Sequence, residues 1–401
     1  MKRDLDIVVA GGGMVGLATA ALLATLPQRR SLSLTVVDAG ARPVYAADAE
    51  VDLRVSAVSA GSLRVLDEIG IGADVRASRA CPYRDMCVWD ASGIPDGPES
   101  LHFSAADVAL PELGLIVENS LLCERLYALL ESRGVALRFG TAIERINLRT
   151  GQAGADLALA NGDTLAADLL IGADGAQSAV RDAAAIDVVG WSYSQSAVVL
   201  HASPARPHRH TAWQRFLAEG PLALLPLADG RVSIVWSTLP AHAADLLALS
   251  DSDCSAALTA ASDGVLGALS VAGGRASFPL RAGHARRYVQ RGVALVGDAA
   301  HTVHPLAGQG ANLGLADAEV LYRVLGAALA GGEHPGDLPV LRRYERARRG
   351  ANATMLHFVD GLSRLFAHDN PWLAGLRGTG LRFFDRSGPL KRRAMRVALG
   401  L

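Results

Sequence analysis

Lysine is almost missing from this chain. Of 39 basic residues only Lys2 and Lys391 are lysines, and both lie near the chain ends. Any chemistry that needs a mid-chain lysine is excluded, including a P-loop and a Schiff base. Cysteine is scarce: Cys81, Cys87, Cys123 and Cys254 are the four, with no Cys-x-x-Cys spacing. That rules out a disulfide framework and fits a reducing compartment. Neither sign of charge is in excess. The 39 basic residues face 40 acidic ones, a net charge of −1, so no overall field draws in nucleic acid. No Gly-x-Ser-x-Gly and no His-Glu-x-x-His occurs, which leaves serine-hydrolase and zinc-protease readings without support. The one long uncharged stretch is Ile7 to Leu26. Asp4 and Asp6 interrupt the basic start before it and three glycines interrupt the run. We therefore read it as neither a signal peptide nor a membrane span.

What is abundant is apolar residues, half of the 401, and glycine, with 42. The length is a prior of two to three domains, and the composition supports a sizeable core. Residues 5–10 read as a buried strand, Gly11-Gly12-Gly13 as a tight turn, 14–26 as a helix, and 32–38 as a strand ending in an acid. This β-α-β unit with short connections predicts a parallel sheet. Helices are expected over 59–70, ending at Gly70, and over 120–133, with Asn119 or Ser120 as N-cap. Strands with turns at Thr150-Gly151 and Asn161-Gly162 fill 135–172. From 184 to 280 the pieces are β-like, with a Pro-, Arg- and His-rich loop at 203–210, which suggests a second domain. Residues 293–298 return to the buried-strand pattern. Residues 312–330 and the tail from 338 are helical. Ala351, Met355, Phe358, Leu362 and Leu365 form one apolar stripe, expected to face the core. Asn352-Ala353-Thr354 matches a glycosylation acceptor but lies inside that helix.

Three motifs carry chemistry. Gly11-x-Gly13-x-x-Gly16 lies between a strand and a helix, and Asp38 ends the next strand. Gly11 makes the turn, Gly13 lets a pyrophosphate approach the backbone, and Gly16 lets the helix pack on the sheet. The helix start, with Met14 and Val15, offers free N–H groups and a positive dipole end. Asp38 would accept bonds from a ribose. This motif alone does not separate NAD from FAD. The second motif runs from Gly297-Asp298 through His301, His304 and Pro305 to Gly308-Gln309-Gly310-Ala-Asn312. An acid at a strand end, followed by a glycine-rich turn into a helix, suits a flavin. Asp298 can bond the ribityl hydroxyls, and the N–H groups of 308–312 can face the N1/C2 edge of the isoalloxazine. The third motif is Asp174-Gly175 after an apolar strand, with Arg181 one helical turn beyond Ser178. His301 and His304 have His-x-x-His spacing but no third ligand nearby, so no metal is expected.

In this order the three blocks resemble the flavoprotein aromatic hydroxylases of the para-hydroxybenzoate hydroxylase fold, and within them the ubiquinone-biosynthesis hydroxylases. Further blocks carry the resemblance across the chain: Asp52-Leu-Arg54-Val-Ser56-Ala57-Val-Ser59, Val117-Glu118-Asn119, Trp191-x-Tyr193-x-Gln195, Phe216 to Pro226, Tyr344-Glu345-Arg346, Asp360 to Phe366, and Gly380 to Gly400. The resemblance implies an α/β fold: a discontinuous Rossmann-like FAD-binding domain (1–72, 101–183 and 281–335), an inserted β-sheet substrate domain (73–100 and 184–280), and a helical C-terminal region (336–401). It implies that Gly11, Gly13, Met14, Val15, Gly16 and Asp38 hold the ADP half of FAD. Arg54 and Asn119 would lie along the pyrophosphate and ribityl chain, Asp174 and Gly175 would serve the cofactor, and Asp298 would sit on the ribityl chain. Pro305, Gly308, Gln309, Gly310 and Asn312 would border the isoalloxazine, with His304 beside its face. No catalytic base is identified.

The implied activity is hydroxylation of the ring of a prenylated phenol or quinol, using NAD(P)H and O₂ through a flavin C4a-hydroperoxide. NAD(P)H would bind transiently, and no second dinucleotide motif is present. Candidate partners are a ubiquinone-biosynthesis complex, a second copy of the chain, and a membrane. A membrane would meet the basic tail, where Arg377, Arg382, Arg386, Lys391, Arg392, Arg393 and Arg396 alternate with Trp372, Leu373, Leu376, Leu381, Phe383 and Phe384. The expected location is cytoplasmic, at the inner face of the membrane. Three alternatives stay open: a hydroxylase of another soluble aromatic compound, a prenyl reductase, and a non-catalytic FAD-binding accessory subunit. A flavin halogenase would need a central lysine and a Trp-x-Trp-x-Ile-Pro motif, and Trp236-Ser-Thr-Leu-Pro240 does not match.

Overall fold

The structure is a computed structural model. It describes residues 4–91, 93–95, 97, 100–303, 309–366, 384–385 and 387–401. His304, Pro305 and Gly308 lie outside the described residues. So do Arg377, Arg382, Arg386, Trp372, Leu373, Leu376, Leu381 and Phe383.

Two sheets dominate. The first has six strands in the order Val289–Gln290, Val293–Leu295, Leu169–Gly172, Leu5–Ala10, Leu32–Asp38, Ala136–Phe139. All neighbours are parallel except the outermost pair at 289–295. Ile7 to Ala10 and Leu169 to Gly172 are buried throughout, as expected of strands covered on both faces. Helix Met14–Leu23 packs between helices Asn119–Ser132 and Gln309–Ala330. A small antiparallel sheet, Ile143–Leu148, Ala155–Leu159 and Thr164–Ala167, follows the edge strand.

The second sheet has eight strands. Its order is His301–Thr302, Leu269–Ala285, Val188–Pro204, Val232–Thr238, Gly220–Pro226, Thr211–Leu217, Asp85–Asp90, Leu101–Ser104. Strand Leu101–Ser104 pairs with Asp85–Asp90, so this hydrogen-bonded unit runs past residue 100. One face packs Val198, Leu200, Leu224 and Ile234 under two helices, Pro240–Ala248 and Asp251–Ala261. The other face brings Ala212 and Leu225 against Ala57 and Ile116 of a third sheet, made of Val55–Ser59, Gly114–Glu118 and Cys81–Tyr83. At the edge, His284 pairs with His301. The turn carrying Asp298 therefore runs directly into the second sheet.

Three expectations change. The 184–280 span is not wholly β. Pro240 opens one helix at its first turn, and the Ser250 hydroxyl caps the next by accepting from Asp253 N; both are ordinary start signals. The N-cap of the 119–132 helix is Glu118, not Asn119 or Ser120. Glu118 caps with no side-chain bond because Arg79 and the Asp52 N–H hold its carboxylate. In helix Leu338–Phe366 the buried positions include Tyr344, Asn352 and Leu356, whereas Ala351 is exposed and Met355 half-buried. The stripe is rotated because Asn352 binds a buried carboxylate described below. The side chains of Phe358, Leu362 and Leu365 lie outside the described residues.

The described part of the tail packs on the rest of the chain. Helix Pro389–Ala398 docks on the body: Met395 and Leu399 are buried beside Ala57, Tyr83 and Val108. Gly61 N donates to Leu399 O at 2.9 Å. Lys391 pairs with Asp385 at 2.9 Å and Asp107 at 3.4 Å. Arg392, Arg393 and Arg396 remain exposed. Among the described residues no helix is long and apolar enough to cross a membrane.

Candidate cofactor and substrate site

The glycine turn separates by physical role. Gly11 has φ +110°, and a Cβ there would lie 2.2 Å from Ala173 O. A Cβ on Gly16 would lie 2.0 Å from Gly11 O. Both glycines are required by close backbone packing. Gly13 is different, for nothing lies within 4 Å of where its Cβ would be. Gly13 is also the N-cap of helix Met14–Leu23, with no side-chain cap and no acid in the first turn. The first N–H groups of this ten-residue helix thus face open space with an uncompensated positive dipole end, which suits a pyrophosphate.

Asp38 stands beside this cradle. Its Oδ2 accepts from Gly12 N at 2.5 Å and its Oδ1 from Gly40 N at 2.6 Å. Met14 is buried. Val15 fills the gap between two other glycines: a Cβ on Gly314 would lie 2.5 Å from Val15 Cγ2, and one on Gly297 3.2 Å from Val15 Cγ1. Val15 thereby locks the first motif to the second.

The third motif joins them. Asp174 accepts from Ser178 Oγ at 2.5 Å and Val180 N at 3.1 Å, and Ser178 Oγ accepts from Arg181 N. Arg181 is buried, and its Nη1 donates to Ala299 O at 3.2 Å, one residue past Asp298. The Asp174 carboxylate shapes its own turn, and Gly175 stands next to it at φ +81° with open space around it.

Asp298 is exposed to solvent although protein surrounds it on most sides. Loss of bulk water raises its carboxyl, and His301 and Arg54 pull it back down. Cys123 is pushed up to about 11 by burial, with Arg54 lowering it and Asp38 raising it. Arg54 therefore lies within electrostatic reach of both Cys123 and Asp298, and Asp38 within reach of Cys123. Cys123 was not singled out from sequence; its place one helical turn after Asn119 was the available signal. The Asn119 N–H donates to Arg54 O at 2.9 Å, and Asn119 Oδ1 accepts from Ser56 Oγ at 2.7 Å.

Asn312 is buried and bridges to the third sheet: its Oδ1 accepts from Ser59 N at 2.9 Å and its Nδ2 donates to Ala57 O at 2.8 Å. Its side chain thus fixes the start of helix Gln309–Ala330. Gly310 lies in that first turn, half-buried, with Val303 the nearest neighbour to its missing Cβ. Gln309 is helical, and its side chain lies outside the described residues.

Sequence reading passed over Asp317. Its carboxylate is fully buried and accepts from His301 Nε2 at 2.5 Å, Gly297 N at 3.1 Å, Arg348 Nε at 2.7 Å and Asn352 Nδ2 at 2.9 Å. Burial alone would raise it, but His301 and Arg348 hold it down at about 2. The anchor of the Asp298 turn is therefore a buried carboxylate held in its charged form at neutral pH.

The second sheet turns a polar pair toward the cofactor layer. His201 and Ser233 are direct cross-strand partners, on the face opposite Leu200 and Ile234. Both are buried, and His201 Nε2 and Ser233 Oγ have no partner among the described residues. Burial, aided by Arg231, lowers the His201 imidazole below its usual range, against Asp229, Glu118 and Asp52. This shift favours the neutral imidazole. Within the largely exposed 203–210 loop, His208 is buried and His210 half-buried, each hydrogen-bonded.

The family model described as an FAD binding domain matches residues 4–359. The 3-demethoxyubiquinol 3-hydroxylase of Escherichia coli is 38% identical, covering 100% of both chains. Ubiquinone hydroxylase UbiL of Rhodospirillum rubrum is 38% identical over 98% of this chain and 89% of its own. Among solved structures, P. aeruginosa PqsL in complex with 2-aminobenzoylacetate superposes with a TM-score of 0.74 at 21% identity, covering 94% of this chain and 99% of that one. That last likeness is one of fold.

Proposed function

Since this chain belongs to the FAD-binding-domain family and matches ubiquinone-biosynthesis hydroxylases along its full length, we propose that it hydroxylates the aromatic ring of a prenylated phenol or quinol intermediate of ubiquinone synthesis. The chain is an FAD-dependent monooxygenase. Bound FAD supplies the chemistry of dioxygen activation, with NAD(P)H as the source of reducing equivalents. The observation that carries the reading is the open cradle at Gly13 under an uncapped helix start.

In this proposal Gly13 and the N–H groups at Met14 and Val15 bind the pyrophosphate. Asp38 exchanges its bonds to Gly12 and Gly40 for a ribose hydroxyl. Asp298 bonds the ribityl chain, with Arg54 and Asn119 on the opposite wall. Asp174, Gly175 and Arg181 keep the Asp298 turn in place. The helix start at Gln309, Gly310 and Asn312, with His304, Pro305 and Gly308 before it, borders the flavin ring. Its positive dipole end favours the negative charge of the reduced form.

The substrate ring lies between that layer and the second sheet. Ala197, Val199 and Phe216 share the inward face of that sheet with His201 and Ser233 and exclude water, which would otherwise divert the oxygen chemistry. His201 Nε2 and Ser233 Oγ are the polar atoms offered to a ring oxygen. Exposed Leu390 and Val397, beside Arg392, Arg393 and Arg396, are the surface proposed to meet the membrane that holds prenylated substrate. The domain boundaries at 72, 101, 183, 281 and 335 remain part of the proposal.

The test is purification and turnover. The protein should be yellow, release FAD on denaturation, and oxidise NAD(P)H faster when a prenylated phenol is added. A colourless protein that gains no flavin spectrum with added FAD contradicts the reading.

A further inference from the structure

The eight-stranded sheet has a cavity on the face turned away from the cofactor layer. It measures about 520 Å³ and opens over the edge strands Asp85–Asp90, Leu101–Ser104 and Thr211–Leu217. Register shows which side chains share that face. Trp213 pairs with Leu224, which lies under the helices at 240–261. Across the edge strands two rows then run side by side. One is Ser104, Asp85 and Thr211, and the other is His102, Cys87 and Trp213. The first row is polar and the second ends in a broad indole. Trp213 rests edge-on against Trp89 at 6.2 Å, and its Nε1 is buried without an acceptor among the described residues.

The rim is the Pro-, Arg- and His-rich loop. Its two histidines act as anchors. His208 Nε2 donates to Leu227 O at 3.1 Å, its Nδ1 accepts from His210 N at 3.1 Å, and His210 Nδ1 bonds Pro82 O at 2.9 Å. Arg209 and His210 are both held in the left-handed region, at φ 50° and 59°. Such a conformation costs energy and persists only where the surroundings enforce it. The loop thus presents Arg206 and Arg209 at the cavity mouth in a fixed frame. Both are exposed, and neither guanidinium has an ion pair or hydrogen-bond partner among the described residues. Val265 and Leu266 close the side wall.

We propose that this cavity binds a nucleoside monophosphate or a ligand of that build. Two unpaired guanidinium groups match a phosphate dianion. A carboxylate between two hydroxyls matches the hydroxyl groups of a sugar. The indole and Leu266 match a flat base. A bare anion would leave Asp85 opposing it, and a purely apolar ligand would leave both arginines unused. The volume falls within the range of small-molecule sites. The sheet separates the ligand from the cofactor layer, so it takes no part in the hydroxylation step.

The test uses full-length protein saturated with FAD, so that the proposed cofactor site at Gly13 and Asp38 is filled. AMP is titrated calorimetrically, with adenosine and inorganic phosphate as controls. The expected result is one saturable AMP site per chain with an unchanged flavin spectrum. The double variant Arg206→Gln, Arg209→Gln should weaken AMP by about tenfold or more. Its FAD content and melting temperature should match the parent, because both side chains are exposed. Absence of AMP binding at millimolar concentration overturns the proposal, and so does unchanged affinity in the double variant. Inorganic phosphate binding as tightly as AMP overturns the nucleotide assignment.

Discussion

His301 Nε2 donates to Asp317 Oδ2 at 2.5 Å, and neither side chain is exposed. The same Asp317 oxygen accepts from Gly297 N, next to Asp298. A buried ion pair is weak evidence for stability in itself, but removing one partner strands the other. The pair therefore acts as the pin of the turn that carries Asp298, with Arg348 and Asn352 closing the far side.

Asp317→Ala should destabilise the fold by about 3–5 kcal/mol, because Arg348 and His301 lose their shared anion. The pH dependence has a definite sign. The folded carboxyl sits at about 2, against an ordinary 3.8. Its stabilisation is complete above the unfolded value and is lost as pH falls through the folded one. It amounts to about 2 kcal/mol. Urea unfolding between pH 6 and pH 3 should show about half of this loss in the parent, about 1 kcal/mol, and a shallower one in Asp317→Asn.

The glycines of the turn should separate in their effects. Gly16→Ala meets Gly11 O and Gly11→Ala meets Ala173 O, so both should lower the melting temperature. Gly13→Val has open space and should fold normally while losing FAD. Melting curves with FAD quantified after denaturation check this. Normal FAD occupancy in Gly13→Val contradicts the cradle.

Asp298→Ala should keep the fold, since its carboxylate faces solvent, and should weaken FAD binding or slow flavin reduction. Titration of apoprotein with FAD, followed by stopped-flow reduction, reads both. Parental values in both would count against Asp298.

His201 gives a pH signature of its own. Its folded value lies below the ordinary 6.5, so its contribution to stability is present above that value and lost as pH falls. His201→Phe should remove that acid-side loss and raise KM for substrate, with FAD binding unchanged. A parental KM would separate His201 from the substrate site.

Much of the cofactor half was legible because local rules decide it. Strand Leu32–Asp38 falls where the apolar run and the terminal acid put it, and the helix before Gly70 ends at a glycine with φ 101°. The glycines at 11, 13 and 16 have distinct roles that follow from one motif. What escaped was set by long-range partners. Asp317 reads as one acid in a helix, and only the approach of His301 and Arg348 makes it an anchor. The helical face at 351–355 was misjudged because Asn352, a polar residue, occupies the core to meet that anchor. The two helices after Leu239 were missed among strands, although Pro240 and Ser250 marked their starts. The histidine anchors of the exposed 203–210 loop depend on Leu227 and Pro82, far away in sequence, so no local pattern reveals them.

The most direct test of the central claim is the source of the oxygen atom in the product. FAD-loaded protein is incubated with NAD(P)H, a prenylated phenol or quinol, and isotopically heavy dioxygen, and the product is read by mass spectrometry. The account predicts a ring hydroxyl carrying one heavy atom, formed only when FAD, reductant and substrate are all present. An unmodified substrate, or a hydroxyl whose oxygen comes from water, would contradict it.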